Sequence, residues 1–359
     1  MDGTRGEADS AERRARGEVN ASADRDPHRV LGYRGYATRW RALALGRVLE
    51  THGVVPWEPT HGRWHNLLNT VRRLASNPMP RARVVATIAE SRHELCADDE
   101  GFVHEWLKLP EPLVEDRWHS LDLALDLSAS CAVPSSVSQV FVPSPHAAFG
   151  VISDLDDTVL QSEVTTFVRA ARLVLLENAH TRLPFPGVAA FYRALHQGVP
   201  GAPANPIFYV SSSPWNLYDV IVEFLDAREI PAGPMLLRDW DLTSALAGNV
   251  GHKSLLIREI LDAYPWMKFI LVGDSGQEDP EIYAKIVAEY PGRILAIYIR
   301  DVSRSVGRSE SIALLAEQVA VAKSTLILAP DTLTVARHAA AQGWIDASRL
   351  DEIAASVRE

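Results

Sequence analysis

The sequence has few cysteines and no long apolar run. Cys96 and Cys131 are its only thiols, and one pair this far apart forms neither a metal-ligand pattern nor a disulfide framework. No apolar stretch reaches the length of a membrane span, and the first residues lack the apolar segment of a signal peptide. We therefore expect a protein of the reducing cytoplasm.

The sequence also lacks an excess of basic residues. It has 36 lysines and arginines against 46 aspartates and glutamates, which makes the formal net charge −10. Nucleic-acid binding through phosphate contacts needs the opposite charge, so we expect no nucleic-acid partner. Docking on anionic lipid by overall charge is disfavoured too, although a local basic patch would still permit peripheral contact with the inner membrane surface.

The length of 359 residues predicts two domains, and the first pattern is a polar tail followed by a β-rich region. Residues 1–27 are polar and charged, which indicates a disordered tail. Residues 28–146 carry short strand signals separated by turns, which predict a small β-sandwich-like accessory domain, interrupted by a helix at 65–74. Its predicted strands are 42–50, 82–90, 101–109 and 121–127, the second and third being joined by the turn at 97–101.

From residue 147 to 359 strand and helix patterns alternate, which predicts an α/β domain with a mainly parallel sheet. Its predicted strands are 149–153, 206–210, 234–237, 269–273 and 293–299. Ligands bind at the carboxyl ends of the strands in such sheets. We therefore expect the site residues where each of these strands ends.

The first of these strands ends in three carboxylates, within the sequence GVISDLDDTVL from Gly150 to Leu160. Side chains alternate along a strand, so Asp154 and Asp156 are predicted to project to the same side. Two such carboxylates repel each other unless a proton or a cation lies between them. The alternative is an acidic turn without chemistry, and this motif alone does not decide between the two.

A run of hydroxyls follows the second strand of this domain. Ser211 and Ser212 stand at a strand-to-helix turn, where hydroxyls and exposed amides suit a phosphate oxygen. The alternative is a serine that caps the next helix, with Pro214 in its first turn. The capping interpretation is the commoner one for such a sequence.

The fourth strand ends in GDSGQEDPEIY, which contains two further carboxylates. Asp274 follows the strand directly and Asp279 comes five residues later, before a helix. Carboxylates at these two positions are a suitable set for a hard, oxygen-seeking cation. The alternative is that Asp279 caps the helix ahead of Pro280, and both can be true.

Lysine is rare in this chain, and one lysine stands between these motifs. Lys253 is predicted to precede an amphipathic helix, where its charge opposes the helix dipole, so a functional role is favoured. Lys268 is the rival, but it stands at the entrance of the fourth strand, at the end away from the site.

The order of these motifs resembles the haloacid dehalogenase (HAD) superfamily of aspartate-nucleophile phosphatases: D-x-D-x-T, then serine, lysine and G-D-x-x-x-x-D. HTRLPFPGVAAFYRAL, FYVSSSPWNLYD, LLRDW, GHK and GDSGQEDPEIYAKI further resemble the catalytic domain of the actin-patch-associated phosphatidate phosphatase family. The resemblance is close over about 150–302 and loose before it. It implies a HAD-like Rossmannoid sheet with helices on both faces.

This resemblance also implies a chemical role for each motif. Asp154 would attack phosphorus to form an aspartyl-phosphate, and Asp156 would act as general acid and then general base. The phosphoryl oxygens would be held by Ser211, Ser212 and Lys253. Magnesium would be bound by Asp154, Asp274 and the backbone carbonyl of Asp156, with Asp279 in support.

The segment 160–185 is short for a cap domain and reads as an apolar helix with Arg169, Arg172 and Arg182. A nearly open site would admit a bulky lipid head group, which these arginines would contact. Packing of the helix on the core is the alternative, and the pattern leaves both open.

We therefore predict a magnesium-dependent phosphomonoester hydrolase, with conversion of phosphatidate to diacylglycerol implied by the resemblance. The same chemistry on a soluble phosphoester or phosphoprotein is one alternative. An inactive scaffold that binds a partner through the β-rich domain is another, and the intact set of acidic residues and Lys253 argues against it.

Overall fold

A computed structural model describes residues 28–50, 77–126, 135–155, 186–238, 249–302 and 306–358. Several predictions concern residues outside these ranges. They are the tail 1–27, the helix at 65–74, and the insert 160–185 with its arginines. Asp156 also lies outside the described residues, whereas Asp154 lies within them.

The described residues up to 142 form two antiparallel sheets. Their strands are β1 (His28–Gly32), β2 (Gly35–Tyr36), β3 (Arg41–Glu50), β4 (Asn77–Pro78), β5 (Arg83–Ile88), β6 (Ser91–Cys96), β7 (Phe102–Lys108), β8 (Arg117–Leu125) and β9 (Ser135–Val142). In one sheet β3 pairs with β1, β4 and β7, and the other sheet has the order β2-β9-β8-β5-β6. The β-rich character predicted for this region is therefore present.

The predicted connection between the strands at 82–90 and 101–109 is wrong. β5 turns back at Ala89 and Glu90, whose φ angles are 46° and 63°, and pairs with β6. β7 pairs instead with β3. The sequence pattern missed β6 because its side chains alternate between exposed and half-buried positions, without the apolar alternation that marks a strand.

The large sheet has six parallel strands in the order β12-β11-β10-β13-β14-β15. They are β10 (Gly150–Asp154), β11 (Ile207–Pro214), β12 (Met235–Arg238), β13 (Phe269–Asp274), β14 (Ile294–Arg300) and β15 (Thr325–Ala329). The predicted parallel α/β sheet is confirmed. β15 was not predicted, because this short edge strand is only partly buried and stands between two strong helical patterns.

Helices connect these strands. They are α1 (Val188–Gln197), α2 (Tyr218–Ala227), α3 (Asn249–Ala263), α4 (Asp279–Glu289), α5 (Val306–Val321), α6 (Thr332–Ala341) and α7 (Leu350–Arg358). The core of the sheet is aromatic and aliphatic, with Phe208, Phe269 and Leu271 fully buried. Within the described ranges, none of the helices is long and apolar enough to cross a membrane.

The chain divides into two compact units, and each unit is built from several separate segments of the sequence. One holds residues up to Tyr33, Arg41–Glu111 and His119–Val140, and the other holds Arg34–Trp40, Pro112–Trp118 and the chain from Phe141 onward. Segment 34–40 packs on the large sheet within the second unit. The Tyr36 ring meets Phe208 edge to face at 5.6 Å, and the Tyr264 hydroxyl donates to the Ala37 carbonyl at 2.9 Å. The domain boundaries predicted from sequence stay predictions.

The strand order reverses at β10. β10 has β11 on one side and β13 on the other, so the chain leaves it first towards one edge of the sheet and returns later to extend the other edge. At such a switch point the connections diverge and leave a crevice outside the carboxyl ends of the strands. The candidate site lies in this crevice, at the carboxyl ends of β10 and β13.

Candidate active site

Asp154 and Asp274 end two neighbouring strands at this crevice. Ser153 is in register with Val272 across β10 and β13, so Asp154 comes level with Gly273 and next to Asp274. Their side chains are almost fully buried: that of Asp154 is 3% exposed, and Asp274 as a residue is 4% exposed. Parallel pairing and strand length therefore bring two carboxylates together away from bulk water.

Asp279 adds a third carboxylate from the first residue of α4. Its Oδ2 accepts a hydrogen bond from the Asp274 backbone N–H at 3.2 Å, and the residue is fully buried. The N-cap position of the helix is Glu278, without a side-chain capping bond, so Asp279 does not have the capping role that the sequence left open. Its side chain turns inward to the strand ends instead.

Gly273 allows this close approach. A Cβ atom at this position would lie 2.8 Å from both Cβ and Cγ of Asp279, a distance that real Cβ atoms essentially never show. A side chain at position 273 would therefore displace Asp279 from the cluster. The role of this glycine was not predicted, although the G-D pair at the end of a strand was the available signal.

Lys253 bridges two of the carboxylates. Its Nζ lies 2.9 Å from Oδ1 of Asp154 and 2.5 Å from Oδ1 of Asp279, and the residue is 3% exposed. The lysine lies inside α3 and not ahead of the helix as predicted, because α3 begins at Asn249. Lys268 directly precedes β13, at the amino ends of the strands and away from the cluster, where its carbonyl accepts the Gly150 N–H at 2.8 Å.

Burial dominates the electrostatics of Asp279. Removal from water raises the pKa of this carboxyl, the Lys253 ammonium opposes that rise, and the Asp274 charge adds to it. Counting three ionised carboxylates and one ammonium, the described part of the cluster carries −3 + 1 = −2. A further cation or a proton is the ordinary way to offset such a buried charge.

The donor set fits a metal ion. Oxygen atoms of Asp154, Asp274 and Asp279 all lie within 4.8 Å of one another, and carboxylate oxygens are the ligands of hard divalent cations. The loop after β13 orients one of them, because the backbone N–H groups of Gly276 and Gln277 donate to Asp274 Oδ1 at 2.7 and 3.0 Å. These residues could therefore hold a divalent cation, whose charge would offset the net −2.

The predicted phosphate-binding serines lie in the second half of β11, which continues to Pro214, and not in a turn after the strand. Val210 pairs with Asp154, so Ser211 stands one residue beyond that level. Ser211 Oγ accepts the backbone N–H of Ser213 at 2.9 Å. Pro214 occupies the cap of the short 3-10 helix that follows, without a side-chain cap, so the capping alternative for these serines is wrong.

A buried hydroxyl chain lies behind Asp154. Ser153 Oγ donates to the Asp154 carbonyl oxygen at 2.9 Å, so the Tyr192 hydroxyl, 2.5 Å from Ser153 Oγ, is the donor in that second bond. Burial raises the pKa of Tyr192 to about 12, which keeps this proton in place. Sequence reasoning assigned neither residue a role, although both lie within segments that it quoted as motifs.

The remaining predicted site residues lie outside the described residues. They are Asp156, Arg169, Arg172 and Arg182. Their assigned roles stay predictions, as does phosphate binding by Ser211 and Ser212. What the structure brings together is Asp154, Lys253, Asp274 and Asp279.

The fold and the cluster define a class: an α/β protein with a buried acidic site, bridged by a lysine, at the switch point of a parallel sheet. Residues 149–301 match the family model described as phosphatidate phosphatase APP1, catalytic domain. The resemblance to this family that the motifs indicated is confirmed over these residues.

Two curated relatives show how far the similarity extends. Phosphatidate phosphatase APP1 of Saccharomyces cerevisiae is 34% identical over 166 residues, which are 45% of this chain and 27% of that protein. An uncharacterized protein of Schizosaccharomyces pombe is 30% identical over 157 residues, 42% of this chain and 25% of the other. The matched part thus spans about a quarter of the length of these relatives.

A solved structure also aligns with much of this chain, at low similarity. A carbohydrate acetylesterase from Xanthomonas citri aligns over 80% of this chain and 72% of its own, at 12% identity and a TM-score of 0.26.

Proposed function

We propose that this chain is a metal-dependent phosphoric monoester hydrolase with a HAD-type mechanism, and that its substrate is phosphatidate. The observation that carries the proposal is the buried cluster of Asp154, Lys253, Asp274 and Asp279 within the segment that matches the phosphatidate phosphatase catalytic domain. Acidic residues suit this chemistry because the positive charge that a phosphate needs would come from Lys253 and a bound cation.

Asp154 is the proposed nucleophile. Lys253 holds its Oδ1 at 2.9 Å, which fixes the rotamer of the carboxylate and favours its ionised form. A carboxylate oxygen of Asp154 would attack phosphorus, and the bond from phosphorus to the ester oxygen would break. In the second step water would attack the phosphorus of the aspartyl-phosphate, releasing inorganic phosphate and regenerating the Asp154 carboxylate.

Asp156 is the proposed general acid and base. It stands two residues after Asp154 in the D-x-D-x-T motif, and the family resemblance implies this role for it. It would give a proton to the leaving alkoxide in the first step and take one from the attacking water in the second. Asp156 therefore returns to its protonated form at the end of each turnover.

Lys253 and the serines are the proposed phosphate holders. The ammonium lies beside the nucleophile, so it would also lie beside the transferring phosphoryl group and stabilise its charge. Ser211 and Ser212 lie in the second half of the neighbouring strand, where their hydroxyl and backbone groups would donate to phosphoryl oxygens.

Asp154, Asp274 and Asp279, with the backbone carbonyl of Asp156, would hold magnesium. When bound, this ion would supply positive charge that offsets the charge of the phosphoryl group. The described residues contribute by presenting three buried oxygen donors and by orienting Asp274 through Gly276 and Gln277.

Phosphatidate is the proposed substrate because the yeast relative carries the name phosphatidate phosphatase. The test measures phosphate release from phosphatidate in mixed micelles and from p-nitrophenyl phosphate, each with magnesium and with a chelator. We expect magnesium-dependent turnover of phosphatidate. Asp154→Asn should lose about a thousandfold or more in kcat, whereas Asp351→Asn, a change of an exposed aspartate on α7, should be neutral.

The outcomes separate the parts of the proposal. Turnover of the soluble ester alone would support the phosphatase activity but refute phosphatidate as the substrate. Full activity in chelator would refute the metal. No turnover of any phosphoester would refute the enzyme and favour the scaffold alternative.

A further inference from the structure

One arginine hydrogen-bonds to the backbone of the loop between β13 and α4. Arg308, near the start of α5, donates from Nε to the Ser275 carbonyl at 2.9 Å and from Nη2 to the Gln277 carbonyl. Both of its terminal nitrogens also contact the Glu281 carboxylate, with Nη2 at 2.9 Å from Oε2. One planar guanidinium thus holds two backbone carbonyls and one carboxylate of a neighbouring segment.

The inner side of the same loop holds Asp274. Gly276 N–H donates to Asp274 Oδ1 at 2.7 Å, and Gln277 N–H donates to the same oxygen at 3.0 Å. The Ser275 carbonyl and the Gly276 N–H belong to one rigid planar peptide group. Arg308 therefore fixes, at the oxygen end, the very peptide that orients Asp274 at the nitrogen end.

Other contacts keep the base of the loop in place without Arg308. Ser275 N–H donates to the Arg300 carbonyl at 2.8 Å, and Ser275 Oγ accepts from the Val302 N–H at 2.9 Å. Loss of the guanidinium should therefore leave the loop folded. The peptide between Ser275 and Gly276 would then lose the guanidinium bond at its carbonyl oxygen, and the orientation of the Asp274 carboxylate would be held less firmly.

We propose that Arg308 is a positioning residue that holds the Asp274 carboxylate ready for a divalent cation by clamping the 275–277 loop. The inference rests on the proposed function only through the metal site, and cation binding can be measured without turnover. Residues that orient a metal ligand typically change metal affinity by about 10- to 100-fold when they are replaced. The fork shape of the guanidinium is essential here, because a single ammonium cannot span both carbonyls and the carboxylate.

The test compares magnesium binding by calorimetry in wild-type protein, Arg308→Gln, Arg308→Lys and Arg258→Gln. Arg258 is a matched control: it makes a two-point pair with Glu289, from Nε to Oε2 at 2.8 Å and from Nη2 to Oε1 at 3.1 Å. That pair joins α3 to α4 and leaves the loop untouched. Thermal unfolding of each metal-free protein reports whether it folds.

We expect both Arg308 variants to bind magnesium about tenfold or more weakly than wild type. Arg258→Gln should bind within about twofold, while its melting temperature falls about as much as that of Arg308→Gln. Should Arg308→Gln fail to fold, Arg308→Lys, which keeps the charge, still decides the question.

Wild-type magnesium affinity in Arg308→Gln would overturn the inference. Wild-type affinity in Arg308→Lys would also overturn it, because the positive charge alone would then be sufficient. Absence of magnesium binding in the wild-type protein would overturn it too. Weakened binding in both Arg308 variants, together with a wild-type protein that hydrolyses no phosphoester, would support the clamp and refute the proposed function.

Discussion

Replacing Lys253 with methionine tests how the buried charge of this cluster is balanced. Methionine keeps an unbranched apolar side chain, shorter than lysine by the terminal nitrogen, and removes the ammonium. That ammonium lies 2.9 Å from Asp154 and 2.5 Å from Asp279, and all three side chains are less than 5% exposed. Removing one partner of a buried ion pair costs about 3–5 kcal/mol, because the opposite charge stays buried without compensation.

The loss should depend on pH. The pKa of Asp279 is already raised by burial, and Lys253 is the main influence that lowers it. A carboxyl whose pKa is higher in the folded than in the unfolded state favours folding most below the unfolded pKa. It loses that contribution as the pH rises through the folded pKa. Without Lys253 the folded pKa rises further, so the variant should lose more stability at pH 8 than at pH 5.

Denaturant and thermal unfolding of metal-free protein measure this effect. At about 2–4 °C per kcal/mol for a unit of this size, we expect the melting temperature to fall by roughly 6–20 °C at pH 8 and by less at pH 5. The control is Lys285→Met, whose side chain is 64% exposed and 4.0 Å from Glu289. It should cost less than about 1 kcal/mol. An equal loss in the two variants, or a loss at Lys253 that is the same at both pH values, would refute the reasoning.

Three further predictions concern the cation and the chemistry. Gly273→Ala should lower the free energy of unfolding in denaturant by about 1–3 kcal/mol and weaken magnesium binding in calorimetry, because the new methyl displaces Asp279. Gly251→Ala is the control and should do neither, because a Cβ there meets nothing within 4 Å. Excess calcium should suppress magnesium-dependent phosphate release, because calcium takes more oxygen ligands at longer distances; undiminished rates would contradict the metal role. Asp156→Asn should slow alkyl esters more than phenolic esters in single-turnover assays, because phenolates need less protonation, and an equal loss would rule out the general acid.

Much of this molecule was readable from local sequence. Asp154 and Asp274 each follow a short apolar run, and a buried strand that ends in a carboxylate places it at the carboxyl edge of a parallel sheet. The order of the motifs then indicated a family resemblance, which the family-model match confirms over residues 149–301. These predictions succeeded because burial of a strand and the chemistry at its end are both encoded within a few residues.

Weakly patterned elements escaped the same reasoning. The strands β6 and β15 are edge strands with half-exposed side chains, so their pairing depends on neighbours distant in sequence. The segment 34–40 joins the unit of the large sheet through Tyr36 and Ala37, and nothing in its own sequence points to that partner.

The geometry of the site was decided by tertiary structure alone. The sequence identified Lys253 and Asp279 as candidates but left open whether the aspartate caps a helix. Only the packing of α3 and α4 against the strand ends shows that one ammonium joins Asp154 to Asp279. Arg308 stands 34 residues after Asp274 in the chain, and only the fold places its guanidinium on the loop that orients this carboxylate. Local patterns record which face of an element is buried, whereas the contact of two polar groups depends on how whole elements pack, and no short stretch of sequence contains that information.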